Sequence, residues 1–221
     1  MINKQRSLLA RVLTILFGLP WVEIIAEAWK LGKKVMRGLS QEGIYEVLDY
    51  ETTLELLDKG GIHSKLQKKK KVRYLQDHVS TFQDHAWGDG KILKNYQTST
   101  GVLVDQYRSG YKTILLISLR EEKNKGDVDS FNISWDIQRG FLKSDGFWDT
   151  DITQRTKQIR IHVIFPKDRP PRRVIMKETN RQRTHYLGDE YRKKLADGRV
   201  KVTWEKKNPR LYEHYLMKWR W

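Results

Sequence analysis

The sequence predicts a mainly β protein, an antiparallel β-sandwich (or open barrel) preceded by two amphipathic helices. Three observations predict it. Short segments of alternating apolar and polar residues recur a dozen or more positions apart beyond residue 100. A helical period dominates only the first 36 residues. Eight Trp, ten Tyr and six Phe in 221 residues are too many for a disordered chain.

The first helical segment carries Leu8, Leu9, Val12, Leu13, Ile15, Leu16, Phe17 and Leu19, leaving a narrow polar stripe at Arg11, Thr14 and Gly18. A helix so apolar belongs against protein or in a membrane interface. Pro20 interrupts it. From Trp21 to Val35 the apolar residues share one side, with Glu23 and Glu27 in the early turns and Lys30, Lys33 and Lys34 in the late ones, the order a helix dipole favours. Ala26-Glu27-Ala28 has the form of a signal-peptidase site, but Glu23 interrupts the apolar run before it. The expectation is therefore a packing helix.

Past Gly38 the period changes. Ile44 to Leu57 mixes alternation with a helix-like patch, Lys59-Gly60-Gly61 signals a turn, and Lys65 to Leu75 reads as a basic strand. Asp84 to Gly90 reads as a loop around Trp87. Tyr111–Arg120 is apolar enough for a central strand. Phe131, Ile133, Trp135 and Ile137 alternate with polar residues, as do Ile159, Ile161 and Val163 before Pro166, and Val200, Val202 and Trp204. Val174 and Met176 head a further strand. Tyr215, Met217, Trp219 and Trp221 share one face of the last strand, which predicts that this face is buried. The expected division is a helical head (1–38), a mixed strand and loop region with the basic run (39–98) and the sandwich (99–221), or a single β domain over 39–221.

The formal charge is +16, from 43 Lys and Arg against 27 Asp and Glu, and it is unevenly spread. Residues 41–64 sum to −5, the nine residues 65–73 to +6, and residues 153–210 to +12. Such asymmetry predicts an anionic partner. The candidate contacts are Lys65, Lys68, Lys69, Lys70, Lys71 and Arg73, then Arg169, Arg172, Arg173, Arg181 and Arg183. Four consecutive lysines put charge on both faces of a strand, which requires solvent or an anion on each. Phosphates suit lysines without geometric demand, and arginine forks suit them with it. Tyr186 and Tyr191 lie nearby for base stacking.

Catalytic candidates are sparser. Zero cysteine removes disulfides, thiolate nucleophiles and cysteine-ligated metals. Asp105 with Glu121-Glu122-Lys123 follows the D…ExK order of metal-dependent nucleases, though a charged hairpin explains it as well. His78, Asp84, His85 and Asp89 read as an ordinary polar loop, and His162 and His214 as surface residues. No phosphate loop, nucleophile elbow or HExxH pattern is present.

The function expected is a cytoplasmic, non-enzymatic binding or adaptor protein without metal or cofactor. Its basic stretches would engage nucleic acid and its N-terminal helices a protein. A membrane-peripheral protein anchored by the first helix is the alternative, and a metal-dependent nuclease the second.

Overall fold

The structure, a computed structural model, describes residues 43–221. The two expected N-terminal helices lie outside the described residues. The rest is mainly β, in three sheets, with one three-residue 3-10 turn at Asp189–Tyr191 inside the C-terminal third.

Fourteen strands follow in order: β1 Tyr45–Leu56, β2 His63–Tyr74, β3 Val79–Ala86, β4 Lys91–Thr98, β5 Val102–Ser109, β6 Lys112–Lys123 and β7 Val128–Gln138. The second half adds β8 Asp145–Asp151, β9 Gln158–Phe165, β10 Arg173–Glu178, β11 Arg183–Tyr186, β12 Arg192–Lys194, β13 Val200–Lys207 and β14 His214–Arg220. A seven-stranded sheet has the order β12-β13-β9-β1-β2-β7-β4, a four-stranded sheet β11-β10-β14-β8, and a three-stranded sheet β3-β6-β5.

The large sheet presents its apolar face to both smaller sheets. Phe82 of β3 stacks on Phe131 of β7 with ring centroids 3.8 Å apart, so the three-stranded sheet covers the β2–β7 side. Phe165 of β9 meets Trp219 of β14 edge-on at 5.5 Å, and Trp204 of β13 meets Tyr215 at 4.9 Å, so the four-stranded sheet covers the β9–β13 side. One continuous cluster of buried side chains runs from Tyr45 to Trp221 through all three sheets. Gly146 of β8 shows how closely the last strand is seated: a β-carbon there would come within 2.5 Å of the Trp219 indole.

The alternating segments become β7, β9, β13 and β14 with the expected faces inward, and Tyr215, Met217, Trp219 and Trp221 are all buried. Three expectations are corrected. The pairing is not antiparallel throughout, because β1 and β9 run parallel, Tyr50 opposite Ile159 to Glu55 opposite Ile164. Seven strands intervene between them, and such a long excursion lets the chain return in the same direction. Residues 44–57 contain no helical turn; β1 is one twelve-residue strand with an irregularity between Val47 and Asp49. The loop read at Asp84 begins only at Trp87, since Asp84, His85 and Ala86 finish β3 against Leu115, Ile114 and Thr113 of β6.

Candidate functional site

The register of β1 on β2 decides the fate of the lysine run. Glu55 stands opposite Lys65, Glu51 opposite Lys69, Asp49 opposite Lys71 and Glu46 opposite Arg73. The acidic and basic segments of the sequence therefore meet across one hairpin, residue by residue. Lys69 lies 3.5 Å from Glu51 and Arg73 3.2 Å from Glu46. Directly opposed opposite charges stabilise a ladder by a few tenths of a kcal/mol per pair, ~0.2–1. Among the described residues Lys65 and Lys71 make no ion pair, since Glu55 bonds Arg199 and Asp49 bonds Arg160, so register reduces the local field of the run only in part.

The other two lysines point inward. Lys68 is buried, and its Nζ donates to both carboxylate oxygens of Asp84 at 3.2 Å and to the carbonyl of His85. Lys70 donates to Asp84 Oδ1 at 3.0 Å. Aromatic faces complete the surroundings. Lys68 lies 4.7 Å from the Trp135 ring centre and 5.2 Å from that of Trp87, and Lys70 lies 4.9 Å from Tyr50. The anion that the inner face required is supplied by β3 of the same chain.

Around this pair the titration of side chains is strongly altered. Burial pushes the Lys68 ammonium down to about 8, with Asp84 opposing the shift. Burial alone would raise Asp84, but Lys68 and Lys70 overcome it and hold the carboxyl well below its ordinary range. His85 is pushed down to about 4 by burial and by Lys70, so it is neutral at pH 7. A second polar group adjoins the first. Lys112 donates to Asp151, which also bonds His214 Nδ1 at 2.6 Å. The Trp87 indole donates to Asp149 at 2.6 Å, with His214 Nε2 3.5 Å from that carboxylate. A cavity of about 30 Å³ lies between the two groups, walled by Lys68, Lys70, Asp84, Lys112 and Asp151 among others.

Beside the Asp149 end opens a larger cleft of about 500 Å³. Its walls include Trp87, Trp148, Phe141, Phe147 and Tyr111. Trp87 and Trp148 stack with centroids 5.9 Å apart. No group of three or more His, Asp or Glu side chains suited to a metal ion occurs among the described residues.

The C-terminal basic residues separate in the same way. Arg169 lies over the Trp221 ring, its Cζ 4.0 Å from the ring centre, and donates to the carbonyls of Lys59 and Lys143. Arg181 is drawn between the buried carboxylates of Glu178 and Glu213, at 3.9 and 3.7 Å. Arg172, Arg173 and Arg183 are exposed, and their side chains make no ion pair among the described residues.

Arg173 belongs to a larger group on the outer face of the four-stranded sheet. Register aligns Tyr186, Ile175, Lys218 and Phe147 in one row across β11, β10, β14 and β8. Thr184, Lys177, Leu216 and Asp149 form the next row, and Arg173, Arg220 and Asp145 the row on the other side. Tyr186 and Phe147 are 59% and 49% exposed, unusual for large rings on a sheet. Lys177 and Lys218 make no ion pair among the described residues, and Arg220 has only the exposed Asp145 at 3.3 Å. Sequence reasoning missed Lys218, Arg220 and Phe147. The signal for the first two was present, since alternation opposite Tyr215, Met217 and Trp219 puts Lys218 and Arg220 outside.

The D…ExK set does not assemble. Asp105 stands opposite Leu116, five residues short of Glu121 along β6, which is ~17 Å and too far to share one ion. Lys123 turns to Asp129 at 3.5 Å and Glu122 to His78. His162 faces outward from the core as expected yet is buried, bonded to the Thr203 hydroxyl at 2.9 Å, and burial with Lys201 pushes it down to about 4. Among the described residues no helix is long and apolar enough to cross a membrane.

No family model and no curated protein matches the chain. Among solved structures it is similar to a candidate protease of Parabacteroides distasonis, with TM-score 0.50 and 9% identity over 80% of this chain and 40% of that one. It is also similar to an M1 zinc metallopeptidase of Deinococcus radiodurans, with TM-score 0.45 and 11% identity over 81% and 42%. The chain thus spans less than half the length of either protein. At 9% identity the first likeness concerns the fold alone.

Proposed function

We propose that this is a non-enzymatic binding protein and that the outer face of its four-stranded sheet engages single-stranded nucleic acid. One observation carries the reading: Arg173, Lys177 and Lys218 share that face without carboxylate partners among the described residues, between the exposed rings of Tyr186 and Phe147. Adjacent strands are ~4.8 Å apart, so the two rings lie ~14 Å from each other with Lys218 between them. Cations beside stacking platforms suit a strand whose phosphates and bases alternate. A solvated face kept soluble by charge has no use for two exposed rings.

The test is a fluorescence-anisotropy titration of a labelled oligothymidine at several salt concentrations. The triple variant Arg173→Gln, Lys177→Gln, Lys218→Gln should weaken binding and flatten the log–log salt dependence by ~0.7 for each phosphate no longer neutralised. Absence of binding by the full chain at low salt overturns the reading. Binding to anionic vesicles without binding to the oligonucleotide replaces it with the membrane alternative.

A further inference from the structure

We infer that the aromatic cleft beside β8 is a pocket for one unstacked nucleobase of the bound strand, and that it prefers bases carrying an exocyclic amino group. The inference rests on the reading of the sheet face as a strand-binding surface and names what that surface selects. Phe147 joins the two. It closes the row of Tyr186, Ile175 and Lys218 across the sheet, and it also lines the cleft. At about 500 Å³ the cleft lies within the ~300–1,000 Å³ of ordinary ligand sites. Stacked Trp87 and Trp148, with Phe141, are its buried rings, while Tyr111 and Phe147 are 67% and 49% exposed. Large exposed rings at a concave site mark a contact surface. The faces of a base stack on such rings whatever its identity.

The edge of β8 supplies what a base requires in its own plane. β8 is the outermost strand of its sheet. The Trp221 N–H donates to the Ser144 carbonyl and the Ile152 N–H to that of Glu213, so the even-numbered residues between them are the ones bonded to β14. Asp145, Phe147 and Asp149 therefore turn their N–H and C=O groups to the open edge, where no strand among the described residues pairs with them. The cleft is lined by that same stretch, residues 145–149. An extended residue presents a donor beside an acceptor, and so does the pairing edge of a nucleobase. A purely hydrocarbon ligand would leave those groups without partners.

Charge favours a nucleotide over other ligands with such an edge. The charged residues of the wall are Asp89, Arg139, Lys143, Asp145 and Asp149. Asp149 is held by the Trp87 indole at 2.6 Å with His214 3.5 Å away, and Asp145 by Arg220 at 3.3 Å. Arg139, Lys143 and Asp89 have no ion pair or side-chain hydrogen bond among the described residues. Two free cations complement the phosphates that flank a nucleotide. An extended peptide could pair with the same edge, but its main chain carries no charge to meet them. The one free carboxylate complements a base amino group: it accepts from N4 of cytosine, whereas thymine and uracil present a carbonyl there. Neighbouring residues fix the position of Asp89. Gly88 and Gly90 take positive φ on either side of it, and a β-carbon at Gly90 would lie 2.2 Å from the Gln138 carbonyl oxygen, so the loop is seated against the end of β7.

The experiment measures, by anisotropy on the full chain, a labelled oligothymidine beside the same oligonucleotide with one central thymidine replaced by deoxycytidine or by deoxyuridine. The cytidine oligonucleotide should bind about tenfold more tightly, the worth of one well-placed base contact, and the uridine one no more tightly than oligothymidine. That comparison needs no variant of the protein. Asp89→Ala should erase the cytidine preference and leave oligothymidine affinity in place. Tyr111→Leu, at a largely exposed position, should weaken all three by ~5-fold through loss of a stacking face. Equal affinity of the wild type for the three oligonucleotides overturns the pocket while leaving the sheet face standing, and a peptide as the true occupant gives this result. A cytidine preference that survives Asp89→Ala overturns it as well. A cytidine preference that persists, with an unchanged salt slope, in the Arg173, Lys177 and Lys218 triple variant would instead fail the sheet-face reading alone.

Discussion

Lys68 and Asp84 form an ion pair inside the protein, Nζ 3.2 Å from each carboxylate oxygen, with side-chain exposures of 2% and 0%. It joins the large sheet to the three-stranded sheet at a point where both neighbours along the strand, Leu66 and Phe82, are fully buried. Removing one member of a buried pair costs ~3–5 kcal/mol, because the other charge is left without compensation. The two removals are not equivalent here. Asp84→Asn strands both Lys68 and Lys70, whereas Lys68→Met leaves Lys70 still paired with Asp84. Asp84→Asn is therefore expected to be the more destabilising in urea unfolding, and the reverse order would show that Lys70 does not depend on Asp84.

The His214–Asp151 bond predicts a contribution to stability that is largest in mildly acidic solution. Hydrogen bonding to His214 holds Asp151 down to about 2, so its contribution is present above the unfolded carboxyl value near 3.8 and is lost as pH falls through about 2. His214 is raised, first by its bond to Asp151, so its contribution is complete below 6.5 and is lost as pH rises through the raised value. The contribution of the pair should fall on the alkaline side of that window. His214→Gln should flatten the alkaline slope, and an unchanged slope would refute the assignment.

The close approach of Gly146 to Trp219 gives a prediction with a sign. A methyl at Gly146 would overlap the indole, so Gly146→Ala should destabilise by ~1–3 kcal/mol. Trp219→Ala, opening a cavity among Phe141, Phe165 and Trp221, should cost ~3–5 kcal/mol. In the double variant the methyl has room, so the combined effect should be smaller than the sum of the two. Strict additivity would mean that the strand shifts to accommodate the methyl.

What is legible in the sequence is local. Alternation from Phe131 to Ile137 and from Tyr215 to Trp221 identifies strands and their buried faces because a period of two is a property of the strand itself. Alternation is the same in either direction, so the parallel pairing of β1 with β9 leaves no trace in it. The lysine run misleads for a related reason. Whether Lys68 faces solvent or protein depends on Asp84, sixteen residues away on a strand in another sheet. Likewise, cancellation of the outward lysines depends on hairpin register, and both charge blocks are visible without the pairing that joins them. Lys218 and Arg220 alternate visibly with the aromatic residues, but their alignment with Arg173 and Lys177 exists only once β14 pairs with β10.

The two basic regions make opposite predictions for the same measurement. If register has already matched Lys65, Lys69 and Lys71 to Glu55, Glu51 and Asp49, their exchange for Gln removes little polyanion affinity. It instead takes Lys69 from Glu51 and removes the cations opposite Glu55 and Asp49, which keep Arg199 and Arg160. The expected outcome is a fall of ~0.5–2 kcal/mol in stability at low salt that shrinks as salt screens the repulsion, with the slope of oligonucleotide binding nearly unchanged. The sheet-face variant should show the converse, unaltered stability and a flattened slope. Anisotropy and urea unfolding of both triple variants, at low and high salt, separate the cases. A flattened slope in the lysine-run variant, with none in the sheet-face variant, would return the binding site to the run and defeat the assignment to the four-stranded sheet.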